Sequence, residues 1–122
     1  MPGLWVAAAA LNGLVAVTAG AYSAHGLGAE AADWMETGSR YQMWHALAIL
    51  AVLLLRRSDG AGWLLRAASW AFLLGILLFS VSLYAMALTG LRTSGSLAPV
   101  GGVSFMIGWA ALALHGLRSV KS

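Results

Sequence analysis

Tyr41-Gln42-Met43-Trp44-His45 sets ionisable and hydroxyl groups at the mouth of a charge-free segment, Tyr41 to Leu55, that otherwise belongs in hydrocarbon. Tyr41 and His45 are four apart and would share one helix face. On either side lie further charge-free runs, from Pro2 up to Glu30, from Ala67 to Leu91 and from Thr93 to Leu117. About 20 apolar residues rising ~1.5 Å each cross the hydrocarbon of a bilayer, so these three are long enough to span. The segment after Tyr41 is short. It spans if its helix starts near Ala32, leaving Asp33, Glu36 and Arg40 in the headgroup zone; a re-entrant or surface helix is the other reading and would leave three spans.

Composition agrees with a membrane. The chain has 122 residues, of which 61% are hydrophobic and 9% charged, and a mean hydropathy of +0.82, so a soluble domain would lack the polar surface to stay dispersed. The fold class expected is all-α, a single integral membrane four-helix bundle running up, down, up and down, with spans near residues 4–25, 33–55, 67–89 and 99–117. The lipid bilayer is its first partner. The net charge of +3 does not make a nucleic-acid stripe, because the basic residues flank the spans. With the Met1 end inside, Arg56, Arg57, Arg66, Arg118 and Lys121 fall on the inner side and only Arg40 and Arg92 on the outer. That positive-inside pattern predicts both termini in the cytoplasm, of a bacterial inner membrane. There is no cysteine, which removes disulfides and thiolate metal sites. Ala19-Gly20-Ala21 has small residues at signal-cleavage spacing, but no Lys or Arg precedes the apolar run, so the segment is read as a retained span.

Small residues mark the packing faces. Ala9, Gly13, Ala16 and Gly20 form a smooth stripe on the first segment where another backbone can approach, and Asn12 beside it needs an interhelical partner. Thr18, Tyr22 and His25 form a second face. Residues 26–39 read as a connection rich in small residues and acids, with Trp34 as an interfacial anchor, and Ser58-Asp59-Gly60-Ala61-Gly62 as a turn. Gly75 and Ser82 are small positions on the third segment, with Ser80 and Tyr84 on a neighbouring face. Pro99 suits the first turn of the fourth segment, where Gly101, Phe105 and Gly108 give another stripe and His115 sits at the inner boundary.

Counted from the outer helix ends, His45, Tyr84 and Ser104 lie roughly 8 Å deep and Ser82 about 10 Å. Short loops make sequential helices neighbours, so these groups are expected to meet on the bundle axis. Ionisable groups at that depth are a site hypothesis by default, set against interhelical hydrogen bonding as the plainer reading. The candidate ligand-binding set is His25, Tyr41, His45, Ser80, Ser82 and Tyr84.

Four ordered blocks carry a resemblance: Gly20-Ala21-Tyr22-Ser23-Ala24-His25-Gly26-Leu27, Tyr41-x-x-x-His45-Ala46-Leu47, Phe79-Ser80-Val81-Ser82-Leu83-Tyr84 and Pro99-Val100-Gly101-Gly102. Together they resemble the small membrane proteins of domain of unknown function 423, which include the eukaryotic proteins called transmembrane protein 256. The resemblance covers nearly the whole chain. It implies a four-helix membrane protein and no established activity. Tyr22 and Ser23 stand where phenylalanine and glycine are expected, and Val81 where glycine is; a lost contact glycine there would loosen or re-aim the third segment.

Several chemistries can be weighed against these residues. His25 and His45 are the one pair that could ligate haem axially, without an attachment motif and with little bundle to enclose a macrocycle. Zinc or copper lacks a third strong ligand beyond Glu30. Ser80 or Ser82 with His45 imitates part of a hydrolase, but no carboxylate lies at that depth. The apolar inner halves of the second and third segments argue against a channel. Neither catalysis, a metal nor a cofactor is therefore expected. The favoured reading is an accessory or assembly component of a larger membrane complex, with glycine faces serving other membrane proteins or self-association. The alternative is a binder of a small lipid-borne ligand, a quinone or a lipid headgroup, in an outward-facing pocket. Unfilled volume beside His45 would favour binding, and a filled core with outward glycines would favour assembly.

Overall fold

Pro2 fits the first turn of a helix, where its missing N–H costs nothing, and α1 runs Pro2–His25. A computed structural model describes residues 2–60 and 62–120 of the chain. Met1, the predicted turn residue Ala61, Lys121 of the predicted inner basic set, and Ser122 lie outside the described residues. Helix α2 spans Ala29–Asp59, with Glu30 in its first turn and Arg56 and Arg57 in its last, as the helix dipole favours. Helix α3 spans Trp63–Thr89. It ends at Gly90, whose φ of 74° places it in the left-handed region while its N–H donates to the Met86 carbonyl. A 3-10 turn at Arg92–Gly95 leads to α4, Ala98–Val120, with Pro99 in its first turn.

Helices α1, α3 and the α4 region are long and apolar enough to cross a membrane, and α2 is the helix whose two ends are charged. The protein is an all-α integral membrane bundle of four long helices. Contacts run antiparallel along each sequential pair: Ser39 meets Ala16 and Gln42 meets Asn12, Gly38 meets Ser80, and Gly101 meets Phe79 while Gly108 meets Phe72. Outward side chains such as Leu11, Leu14 and Val17 on α1 and Val103, Met106 and Ile107 on α4 are exposed, the surface that acyl chains solvate.

Since lipid tails are as apolar as leucine, close packing and interhelical hydrogen bonds hold such a bundle together. Phe72, Ile49, Leu65, Ile76 and Val52 are fully buried in one apolar cluster near the end that carries the termini. Ala19, Met35 and Ala87 form a smaller cluster near the other end. Three serines tie helix to helix through backbone carbonyls: Ser39 Oγ donates to Ala16 at 2.7 Å, Ser80 Oγ to Gly38 at 2.8 Å and Ser104 Oγ to Ala71 at 2.7 Å.

The predicted packing glycines sort by contact. Gly75 faces the Phe105 ring, Gly108 the Phe72 ring and Gly101 the backbone of Leu78 and Phe79. Gly20 abuts the Ser39 hydroxyl, whereas Gly13 leaves room for a methyl against Met43. Gly38, within the stretch that reads as a connection, is a further contact glycine, closed on by the Tyr84 ring and the Ser80 backbone. Helix α2 begins at Ala29, so the link to α1 is only residues 26–28, and Ser58 and Asp59 belong to the last turn of α2 rather than to a loop.

Helix α3 is not a uniform α-helix. Ile76–Ser80 forms a π turn, which holds an extra residue and rotates the rest of the helix about its axis. At its end Ser80 reaches Gly38, while Val81 just beyond, at the position of the missing glycine, is exposed and needs no close contact.

At the end bearing the termini, His115 Nε2 lies 3.0 Å from Asp59 Oδ2 and joins α4 to α2. The hydrogen bond from His115, and then that from Ser58, hold the Asp59 carboxyl below its usual 3.8. A carboxyl depressed by folding contributes stability above its unfolded pKa and loses it as pH falls through the folded one. The melting temperature in detergent is therefore expected to drop on acidification below about pH 4, and the drop to be smaller in Asp59→Asn. The difference is small, because the Asp59 carboxylate is open to water. Identical acid profiles for the two proteins would remove the pair from the account.

Candidate functional site

The polar groups predicted to meet on one axis divide into two arrangements on neighbouring faces of α2, one through Gln42 and one through His45. The first lies where α1, α2 and α3 meet. Tyr84 donates its hydroxyl to Gln42 Oε1 at 2.6 Å, Gln42 Nε2 donates to Asn12 Oδ1 at 2.9 Å, and Asn12 Nδ2 donates to the Ala8 carbonyl at 2.8 Å. This amide relay separates the two apolar clusters and gives Asn12 its interhelical partner.

The second lies between α2 and α4. His45, buried to 3% exposure, has its ring stacked on Phe105 with centroids 3.6 Å apart. The indole N–H of Trp109 donates to His45 Nε2 at 3.0 Å. An indole can only donate, so Nε2 is an acceptor, the ring proton sits on Nδ1, and Nδ1 donates to the Tyr41 carbonyl at 2.7 Å. Both ring nitrogens are thus in use.

Beside this imidazole is a cleft of about 620 Å³, within the size range of small-molecule sites. Tyr41, Trp44, His45, Phe79, Phe105 and Trp109 wall it with rings, and Gly102 and Met106 close one side. Phe79 comes from the π turn and lies 4.6 Å, centroid to centroid, from Tyr41. No hydrogen bond ties the Tyr41 hydroxyl to any described residue, yet every fully buried side-chain nitrogen or oxygen among them is bonded. The hydroxyl is therefore reachable from outside the protein.

Of the predicted ligand set, only Tyr41 and His45 line this cleft. Ser80 is sealed against Gly38, and Ser82 bonds the Leu78 carbonyl of its own helix. Tyr84 belongs to the amide relay and to a separate groove with Tyr22 between α1 and α3. His25 is exposed in the last turn of α1. The expected single pocket of His25, Tyr41, His45, Ser80 and Tyr84 is corrected accordingly: His25 lies exposed at the end of α1, while His45 Nε2 accepts from Trp109. Ser80 and Ser82, the two serines weighed with His45, donate to the Gly38 and Leu78 carbonyls and not to the imidazole. The sequence did hold a signal for the cleft's far wall: Phe105 and Trp109 are four apart on α4 as Tyr41 and His45 are on α2.

Residues 19–102 match the family described as Protein of unknown function (DUF423). The chain belongs to this family. It is 44% identical over 114 residues to a UPF0382 membrane protein of Haemophilus influenzae, an alignment covering 90% of each chain. It is 42% identical over 115 residues to the UPF0382 inner membrane protein YgdD of Escherichia coli K12, covering 90% of this chain and 86% of that one. To the UPF0382 membrane protein SERP0230 of Staphylococcus epidermidis it is 40% identical over 116 residues, covering 89% and 91%. No solved structure matches the chain. The family match takes in the α2 and α3 residues of the cleft and Gly102, but not Phe105, Met106 or Trp109, and it takes in Gln42 and Tyr84 of the amide relay, but not Asn12 or Ala8.

Proposed function

We propose that this small membrane protein binds a flat lipid-borne molecule bearing a hydrogen-bond acceptor, a quinone being the type, in the ring-walled cleft between α2 and α4. The observation that carries the reading is the unfilled volume beside His45 next to a Tyr41 hydroxyl with no partner among the described residues. Rings on three sides offer stacking to a planar guest, and the hydroxyl offers it one donor. Arg56, Arg57, Arg66 and Arg118 gather at the end with the termini, which supports a cytoplasmic location for that end and a position in the outer half for the cleft. An accessory or assembly role would draw on outward glycine faces, but Gly75, Gly101 and Gly108 pack inward, which favours the binding reading.

Gly102→Leu tests it without disturbing His45. A Cβ at Gly102 meets nothing within 4 Å, so leucine fits the backbone and projects into the cleft. Native mass spectrometry of gently extracted protein is expected to show one small molecule per chain, retained at least about tenfold less by the variant, equivalent to ~1.4 kcal/mol. Equal retention by both proteins would move the ligand elsewhere. Co-purified protein without any small molecule would return the assembly role.

A further inference from the structure

At the opposite end of the bundle from Tyr41, a groove of about 700 Å³ runs between the first turns of α1 and the last turns of α2. Its floor is apolar, from Val6, Leu50, Leu53 and Leu54, and its mouth is formed by Arg56 and Arg57. Gly3 keeps the α1 wall low, since a Cβ there would meet nothing within 4 Å.

The two arginines lack counter-charges. Arg40 is paired with Glu36 and Arg92 with Glu30, but among the described residues neither Arg56 nor Arg57 has a carboxylate or any hydrogen-bond partner for its side chain. The one acid close by in sequence, Asp59, is bonded to His115 and Ser58. Guanidinium groups match phosphate oxygens in planar, two-point geometry, and basic pockets between helices at a membrane face select anionic headgroups. An apolar trough opening directly at such a pair has the shape of a chain-and-headgroup molecule.

We propose that this groove seats one anionic phospholipid, with an acyl chain along α1 and α2 and its phosphate held by Arg56 and Arg57. The site is separate from the α2–α4 cleft and does not depend on it.

The protein in detergent is titrated with phosphatidylglycerol, with phosphatidylcholine of the same chains, and with inorganic phosphate, and bound molecules are counted by native mass spectrometry. One phosphatidylglycerol per chain is expected to bind at least about tenfold more tightly than phosphatidylcholine, and inorganic phosphate not to be retained. Arg56→Gln with Arg57→Gln is expected to abolish the preference. Gly3→Leu, which fills the trough and keeps both charges, is expected to weaken phosphatidylglycerol by about tenfold. Arg66→Gln, outside the groove, is the control and is expected to change nothing. Equal binding of the two lipids, loss of preference in Arg66→Gln, retention of phosphate alone, or no effect of either groove change would each overturn the proposal.

Discussion

Gly101→Ala is expected to destabilise the protein in detergent by about 1 to 3 kcal/mol, the usual range for overpacking, although alanine is the better helix former. A Cβ at Gly101 would collide with the Phe79 backbone nitrogen and lie 2.9 Å from the Leu78 carbonyl carbon. Backbone atoms cannot swing aside as a side chain can, so α4 must lift from α3. Gly102→Ala, one residue on and facing open space, is expected to be neutral or stabilising by up to about 1 kcal/mol. Thermal unfolding of the two variants side by side decides the matter, and equal melting temperatures would remove Gly101 as the α3–α4 contact point.

Gln42→Leu is expected to be costlier still. Gln42 is 3% exposed and, among the described residues, is the one side chain bonded to both Asn12 and Tyr84, so the change strands an amide oxygen and a phenol together. An unmet buried polar group costs about 1 to 3 kcal/mol, and interhelical bonds in bilayers sit at the lower end, so a loss of roughly 2 to 4 kcal/mol is expected. Tyr84→Phe removes one bond and is expected to cost about 1 kcal/mol. The double variant should then lose little more than Gln42→Leu alone, because the Tyr84 bond is already gone. Strict additivity in that cycle would show that the three groups do not act as one relay.

The four helices were legible because charge-free runs bounded by arginines and acids are a direct readout of what a bilayer tolerates. Gly75, Gly101 and Gly108 were legible as contact points for the same reason that leucine is not: only a missing side chain lets backbones touch. The azimuth of each helix was not. Spacing shows which residues share a face, but not which neighbour that face meets, so depth alone groups His45 with Tyr84 although one turns to Trp109 and the other to Gln42. Gly38 was hidden among acids that read as a connection, and its role emerges only when Ser80 and Tyr84 close on it. The π turn had no sequence signal in Ile76-Leu77-Leu78-Phe79-Ser80, an ordinary apolar run, and it alters the face of everything beyond it.

That turn makes the two halves of the bundle answer to each other. Gly75 before it must face Phe105, and Ser80 at its end must face Gly38. Winding those five residues as ordinary α-helix, with none removed, would swing one half by about 100° against the other. Either contact could then be kept, but not both. The surplus residue works as a gear tooth: wound into the π turn, it sets the phase between the Gly75 contact and the Ser80 contact, so a replacement that straightens this stretch would be felt at both.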